Sequence, residues 1–96
     1  MPDCFQAVQN FSMPKTEIYT KDWCGYCRAA KQLLTKLGYS YTEIDVTHDV
    51  VGYQDMLMRA PGSRTVPQIF IDGVNIGGYT DLYELVSTGQ IKPQIP

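Results

Sequence analysis

Between Thr16 and Val46 the sequence changes rhythm twice, and that switch constrains the fold more than any other feature. Thr16-Glu17-Ile18-Tyr19-Thr20 is short and rich in β-formers, and Lys21-Asp22-Trp23 leads out of it. From Gly25 onward, Ala30, Leu33, Leu34 and Leu37 recur at the spacing of one helix face, and Gly38 supplies the stop signal. Tyr41 to Val46 then returns to β-branched and aromatic residues. Strand, helix and strand in so short a stretch predict a β-α-β unit, with parallel strands and a right-handed crossover.

The second half has a different order. Thr47 and Asp49 are candidate caps for a helix near Val50 to Ala60, which Pro61-Gly62 closes. Gln68 to Ile71 and Val74 to Ile76 flank Asp72-Gly73, a strong hairpin signal. Gly77-Gly78 opens a last helix, with Thr80 as its expected cap, Asp81 and Glu84 in its first turn, Leu82, Leu85 and Val86 on its apolar face, and Gly89 as its stop. The order β-α-β-α-β-β-α predicts an α/β fold: a four-stranded mixed sheet with helices on both faces. Residues 1–96 read as a single domain, its core running from about Lys15 to Gly89 after a variable segment 1–14, in which Phe5 to Phe11 suggests a short helical turn.

Composition narrows the function. A chain of 96 residues, 44% of them hydrophobic, supports one small core and no second domain. Eight Lys and Arg against ten Asp and Glu give a net charge of −2, without the basic excess of a nucleic-acid-binding surface. The apolar runs are far short of a membrane span, and Met1 to Phe11 lacks the basic start and apolar middle of a signal peptide. The expectation is a cytoplasmic protein, or one of an organelle stroma or matrix after removal of a transit peptide.

Three cysteines cannot make the even-numbered framework of a disulfide-stapled domain, and Cys24 and Cys27 form a C-x-x-C pair in the first turn of the expected first helix. Unpaired amides and about half a positive charge at a helix start favour thiolate over thiol. Cys24, nearer the end, is the expected acidic thiol, and Lys21, Arg28 and Lys31 add positive field. A drop in thiol pKa from about 8.5 to about 6 raises the thiolate fraction at pH 7 roughly thirtyfold, but nucleophilicity falls roughly thirteenfold over the same span. The larger benefit is to the sulfur as a leaving group, which suits a catalyst of exchange. Cys4 and His48 could complete a four-ligand zinc set with the pair, but their spacings fit no usual zinc pattern; His48 reads as a solvated loop residue and Cys4 as a free thiol. A C-x-x-C beside a β-α-β pattern reads as a thioredoxin-like redox site.

Lys21-Asp22-Trp23-Cys24-Gly25-Tyr26-Cys27, Arg64-Thr65-Val66-Pro67, and Asp72-Gly73 followed by Ile76-Gly77-Gly78 and Asp81 stand in the order and spacing of the dithiol glutaredoxin family. The chain resembles that family from about Lys15 to Gly89, as a C-G-Y-C variant. The resemblance implies a thioredoxin fold, with glutathione as cosubstrate and glutathionylated or disulfide-containing proteins as partners. It implies that Cys24 is the nucleophile and Cys27 the resolving thiol. Pro67 would be a cis proline that lays Val66 beside Cys24, where its backbone pairs with the peptide part of glutathione; Thr65 flanks that edge and Tyr26 stands at the groove wall. Lys21 and Gln54 match positions that hold the glycine carboxylate. Gly78, Thr80 and Asp81 match those that take the γ-glutamyl end. Met56, Met58 and the remaining tyrosines read as core and surface packing.

Gly25 stands where many dithiol glutaredoxins carry proline. Members of that family with a small residue there can hold a [2Fe-2S] cluster between two subunits, each giving its nucleophilic cysteine, with glutathione thiolates completing the set. The resemblance therefore implies a monomeric glutathione-dependent oxidoreductase or, alternatively, a cluster-bridged homodimer with Cys24 as metal ligand, acting in cluster storage, sensing or transfer.

Overall fold

The computed structural model describes residues 14–94. Seven elements follow in chain order: β1 (Thr16–Thr20), α1 (Gly25–Lys36), β2 (Thr42–Asp45), α2 (Val50–Arg59), β3 (Gln68–Ile71), β4 (Val74–Gly77) and α3 (Tyr79–Ser87). The sheet order is β2-β1-β3-β4, with β1 parallel to β2 and antiparallel to β3, and β3 antiparallel to β4. This is the thioredoxin-like arrangement, a four-stranded mixed sheet with three helices.

Alternation along the two inner strands builds two cores. Ile18 pairs with Ile69 across β1 and β3, and both pack with Ala30 and Leu34 of α1 and Leu82 of α3. Their neighbours Tyr19 and Phe70 point the other way, into a cluster with Val46, Met56 and Ala60 beneath α2. β1 and β3 are thus covered on both faces, whereas β2 and β4 are edge strands with mostly exposed side chains. The strand residues closest to the first loop, Tyr19 and Thr20, are almost fully buried, so the loop that follows starts from a fixed point.

The hairpin forms as its sequence predicts. Asp72 and Gly73 have φ of 52° and 82°, the two positive values of a type I′ turn, and the Asp72 side chain accepts the Lys15 N–H at 3.0 Å. Asp49 caps α2 by accepting the Gly52 N–H at 2.9 Å. Two expected caps are displaced. Thr47 accepts the Asp22 N–H at 2.8 Å, tying the β2 exit to the cysteine loop rather than starting a helix. Gly78, not Thr80, caps α3: Asp81 reaches back to accept the Gly78 N–H at 2.9 Å, which starts the helix two residues earlier and moves Glu84 beyond its first turn. The ordered chain also extends past Gly89, since Ile91 packs against the first core and the Gln94 N–H bonds the Leu37 carbonyl at 2.7 Å. The expected turn at Phe5 to Phe11, and Cys4 with it, lie outside the described residues.

A polar strap holds α2 on its face of the sheet. Arg59 donates to Glu17 and to the Tyr19 hydroxyl, each at 2.8 Å, and Tyr19 donates to Asp55 at 3.0 Å. The guanidinium lies 4.1 Å from the Phe70 ring centroid. The hydrogen bond from Arg59 holds the Glu17 carboxyl below its ordinary value of 4.5, so this interaction is fully present above that value and is lost as pH falls through the lowered one. Arg59→Met is expected to cost about 1–2 kcal/mol, the pair being only partly screened by solvent. Urea unfolding at pH 7 checks this, and the loss should shrink at pH 3.

Candidate active site

The loop Lys21 to Cys24 leaves the buried end of β1 and turns sharply. Trp23 has φ of 58° and is 95% exposed, which throws its ring outward and brings Cys24 to the start of α1. Cys24 is the N-cap itself, one position before the first helical residue, and its Sγ accepts the Cys27 N–H at 3.0 Å. Sulfur thus occupies the place a serine or aspartate oxygen commonly takes, where helix amides and the helix dipole favour negative charge. On its other side Cys24 Sγ lies 3.9 Å from the Val66 carbonyl oxygen, and the Val66–Pro67 peptide bond is cis.

Cys27 has the opposite setting. It is 2% exposed, and burial, reinforced by its interaction with the Cys24 side chain, pushes its thiol up to about 12. One accessible sulfur stands over one buried, protonated sulfur. That asymmetry assigns different chemistry to two residues of the same type.

Aromatic side chains frame the pair. The Lys21 ammonium sits 4.6 Å from the Tyr53 ring centroid, and the Tyr53 hydroxyl donates to the Arg64 carbonyl at 2.9 Å. Lys21, the start of the Arg64-Thr65-Val66 segment and the N-terminal half of α2 are thereby linked. On the opposite side Tyr26, 66% exposed, stacks on Tyr79 at 6.1 Å, joining α1 to α3. Gly78 lies close enough to the Pro67 carbonyl that an added Cβ would sit 3.5 Å from it, and Gly77, at φ of 109°, leaves room for the Asp81 carboxylate.

The sequence signature of the glutaredoxin family matches residues 16–76. Glutaredoxin 3 of Escherichia coli K12 is 44% identical over 81 residues, which span 84% of this chain and 96% of that protein. Among solved structures, the buckwheat glutaredoxin-glutathione complex superposes with a TM-score of 0.74 at 33% identity, covering 94% of this chain and 84% of that one. The solution structure of glutaredoxin from Brucella melitensis gives a TM-score of 0.71 at 42% identity, covering 82% and 85%. The chain belongs to the glutaredoxin family.

The glutaredoxin fold brings together most of the residues singled out from the sequence. Cys24, Cys27 and Tyr26 share the start of α1, Val66 and Pro67 meet them from the β3 approach, and Gly78 adjoins Pro67. Thr65 is exposed beside Val66, and Thr80 and Asp81 are exposed in the first turn of α3. Gln54 is exposed on α2, next to the tyrosine beneath Lys21. His48 is exposed, and among the described residues no three His, Cys, Asp or Glu side chains cluster as a metal site. Sequence reasoning missed Tyr53 and Tyr79, which it read as packing. Their adjacency to Gln54 and Gly78 was the available signal.

The contrast between the two thiols has a direct readout. Iodoacetamide at pH 8 should modify Cys24 of the reduced protein at least tenfold faster than Cys27, as read by fragment-ion sequencing of the shared peptide. Because the Cys27 thiol is raised from an ordinary 9.0 to about 12, its contribution to folded-state stability is complete below pH 9 and drains away as pH rises towards 12. Cys27→Ser should flatten that alkaline loss in a pH series of unfolding curves.

Proposed function

We propose that this protein is a glutathione-dependent thiol-disulfide oxidoreductase that reduces protein-glutathione mixed disulfides through Cys24 alone and protein disulfides through Cys24 with Cys27. The observation that carries the reading is the N-cap position of Cys24, with its sulfur between the Cys27 amide and the Val66 carbonyl. Family membership supports thiol-disulfide exchange as the reaction, and the structure of a relative in complex with glutathione supports that tripeptide as cosubstrate.

In the one-thiol route the Cys24 thiolate attacks the glutathione sulfur of a mixed disulfide. The old S–S bond breaks, the protein thiolate leaves and takes a proton, and glutathione remains on Cys24. A second glutathione thiolate attacks that glutathionyl sulfur, releasing oxidised glutathione and restoring the Cys24 thiolate. In the two-thiol route Cys24 opens a protein disulfide, and Cys27, once deprotonated, attacks Cys24 and releases the second protein thiol. Two glutathione molecules then reduce the Cys24–Cys27 disulfide. Members of this class have potentials of about −200 to −230 mV, near the cytosolic glutathione poise, so the pool sets the direction.

The groove residues have physical reasons for their parts. The Val66 backbone edge pairs with the tripeptide as an added strand. Lys21 and Gln54 take the glycine carboxylate. At the γ-glutamyl end Asp81 already holds the Gly78 N–H, so the amides of Tyr79 and Thr80, unpaired in the first turn of α3, are the better placed donors, and the Asp81 carboxylate faces the ammonium group. Tyr26 and Thr65 wall the site, and Pro67 positions Val66.

A second reading, a glutathione-ligated [2Fe-2S] homodimer, draws on Gly25. That residue is exposed, with nothing within 4 Å of an added Cβ, so the approach to Cys24 from this side is open. Among the described residues a single chain contributes only Cys24 as an accessible thiol ligand, so the remaining ligands would come from a second copy and glutathione, which is consistent with those residues. Such a cluster would supply electron storage or be handed on as cargo. Anaerobic reconstitution with iron, sulfide and glutathione separates the readings: a coloured dimer supports the second, and a colourless monomer removes it.

For the main reading, Cys24→Ser should abolish both reductions. Cys27→Ser should keep at least half of the deglutathionylation rate and lose nearly all two-thiol reduction. Lys21→Ala or Gln54→Ala should raise the KM for glutathione more than it lowers kcat in a coupled assay; a fall confined to kcat would place these residues outside the groove.

A further inference from the structure

A second surface leads away from the cysteine pair, on the β2 side of α1. A cleft of about 300 Å³, bordered by Lys21, Cys24, Cys27 and Lys31 and by the carboxylates of Asp22, Glu43 and Asp45, adjoins a trough of about 350 Å³ along the outer face of the helix, and the two share Arg28 and Lys31. The trough is lined by Arg28, Lys31, Gln32, Thr35, Lys36 and Tyr41. Three cations and no carboxylate line it, in a chain with a net charge of −2. Among the described residues neither Arg28 nor Lys36 has an ion-pair partner, while Lys31 is held at 3.0 Å by Glu43 on the rim and so fixes the wall. Glu43 is itself anchored by the Thr20 hydroxyl at 2.7 Å. The outer part of the trough thus offers the unpaired positive charge of Arg28 and Lys36 beside Tyr41.

The cleft joins the trough to the cysteine that exchanges disulfides, which identifies the occupant as a polypeptide carrying the sulfur that Cys24 attacks. From Cys24 along the 12 residues of α1 is about 18 Å at 1.5 Å per residue. An extended chain covers that in about five residues at roughly 3.3 Å each. We propose that the trough receives an acidic stretch of the protein substrate within about five residues of its reacting cysteine, when that cysteine is joined to Cys24. The proposal rests on the reading of Cys24 as nucleophile and adds a preference among protein substrates that the glutathione groove does not supply.

The test uses the Cys27→Ser protein and peptides whose single cysteine carries thionitrobenzoate. The Cys24 thiolate attacks the peptide sulfur, forms the Cys24-peptide disulfide and releases coloured thionitrobenzoate anion. Three glutamates within five residues of the cysteine, placed on the N-terminal side in one peptide and the C-terminal side in another, are compared with glutamine twins. At about 20 mM ionic strength one acidic peptide should react at least fivefold faster than its twin, and at 0.5 M salt less than twofold faster, because these charges are exposed and screened. Arg28→Gln with Lys36→Gln should remove the preference, each acidic peptide being compared with its glutamine twin on the same variant so that a change in Cys24 reactivity from the lost Arg28 charge cancels. Equal low-salt rates for both acidic peptides and their twins, a preference that survives the double substitution, or equally strong inhibition by an oligonucleotide of the same charge would overturn the proposal. No release from any peptide or from the thionitrobenzoate disulfide of glutathione would refute Cys24 as nucleophile instead. The docking is then decided by amide NMR of the Cys24-peptide disulfide on the Cys27→Ser protein: relative to the disulfide with its glutamine twin, the preferred acidic peptide should shift signals from Arg28 to Lys36, and unchanged signals there would overturn it.

Discussion

The hydrogen bond from the Cys27 amide to Cys24 Sγ is the contact on which the site depends. It makes a sulfur the cap of α1, so the reactive atom is placed by a helix and not by a mobile loop. The helix is in turn fixed by Ala30 and Leu34 against Ile18 and Ile69, and the loop before Cys24 is tethered to β2 by Thr47. The same bond places Cys27 one turn inward, where burial keeps it a thiol until chemistry requires it.

The site lies where both cores of the fold end. β1 delivers the loop from between the two layers, α1 and α3 approach from one face through the Tyr26–Tyr79 stack, and α2 approaches from the other through Tyr53 beneath Lys21. In the proposed function these three elements wall the glutathione groove and the Val66 edge forms its floor. The Arg59 strap, remote from the sulfurs, matters to it because α2 carries both Tyr53 and Gln54.

Much of this was legible in the sequence, and for physical reasons. The helical period of Ala30, Leu33, Leu34 and Leu37 and the positive-φ demand of Asp72-Gly73 are local signals, and both elements form where those signals lie. Caps were less legible because they depend on what the chain meets in space. Thr80 has the right chemistry, but Gly77, at positive φ and without a Cβ, leaves room for Asp81 to reach back to the Gly78 N–H, so the helix starts earlier. The cis bond before Pro67 could be reached only through family resemblance, since few X-Pro bonds are cis. The basic trough on α1 escaped notice because Arg28, Lys31 and Lys36 form a surface only once Tyr41 closes one side.

The account's central claim is that Cys24 receives glutathione against the Val66 edge. Amide NMR of the Cys27→Ser protein, compared before and after Cys24 is glutathionylated, tests it most directly. The claim predicts the largest shifts at Val66, Tyr79 and Thr80, with slowed exchange of the Val66 amide as it pairs with the tripeptide. A stable adduct that shifts only its immediate neighbours in α1 and leaves Val66 and the start of α3 unchanged would contradict it.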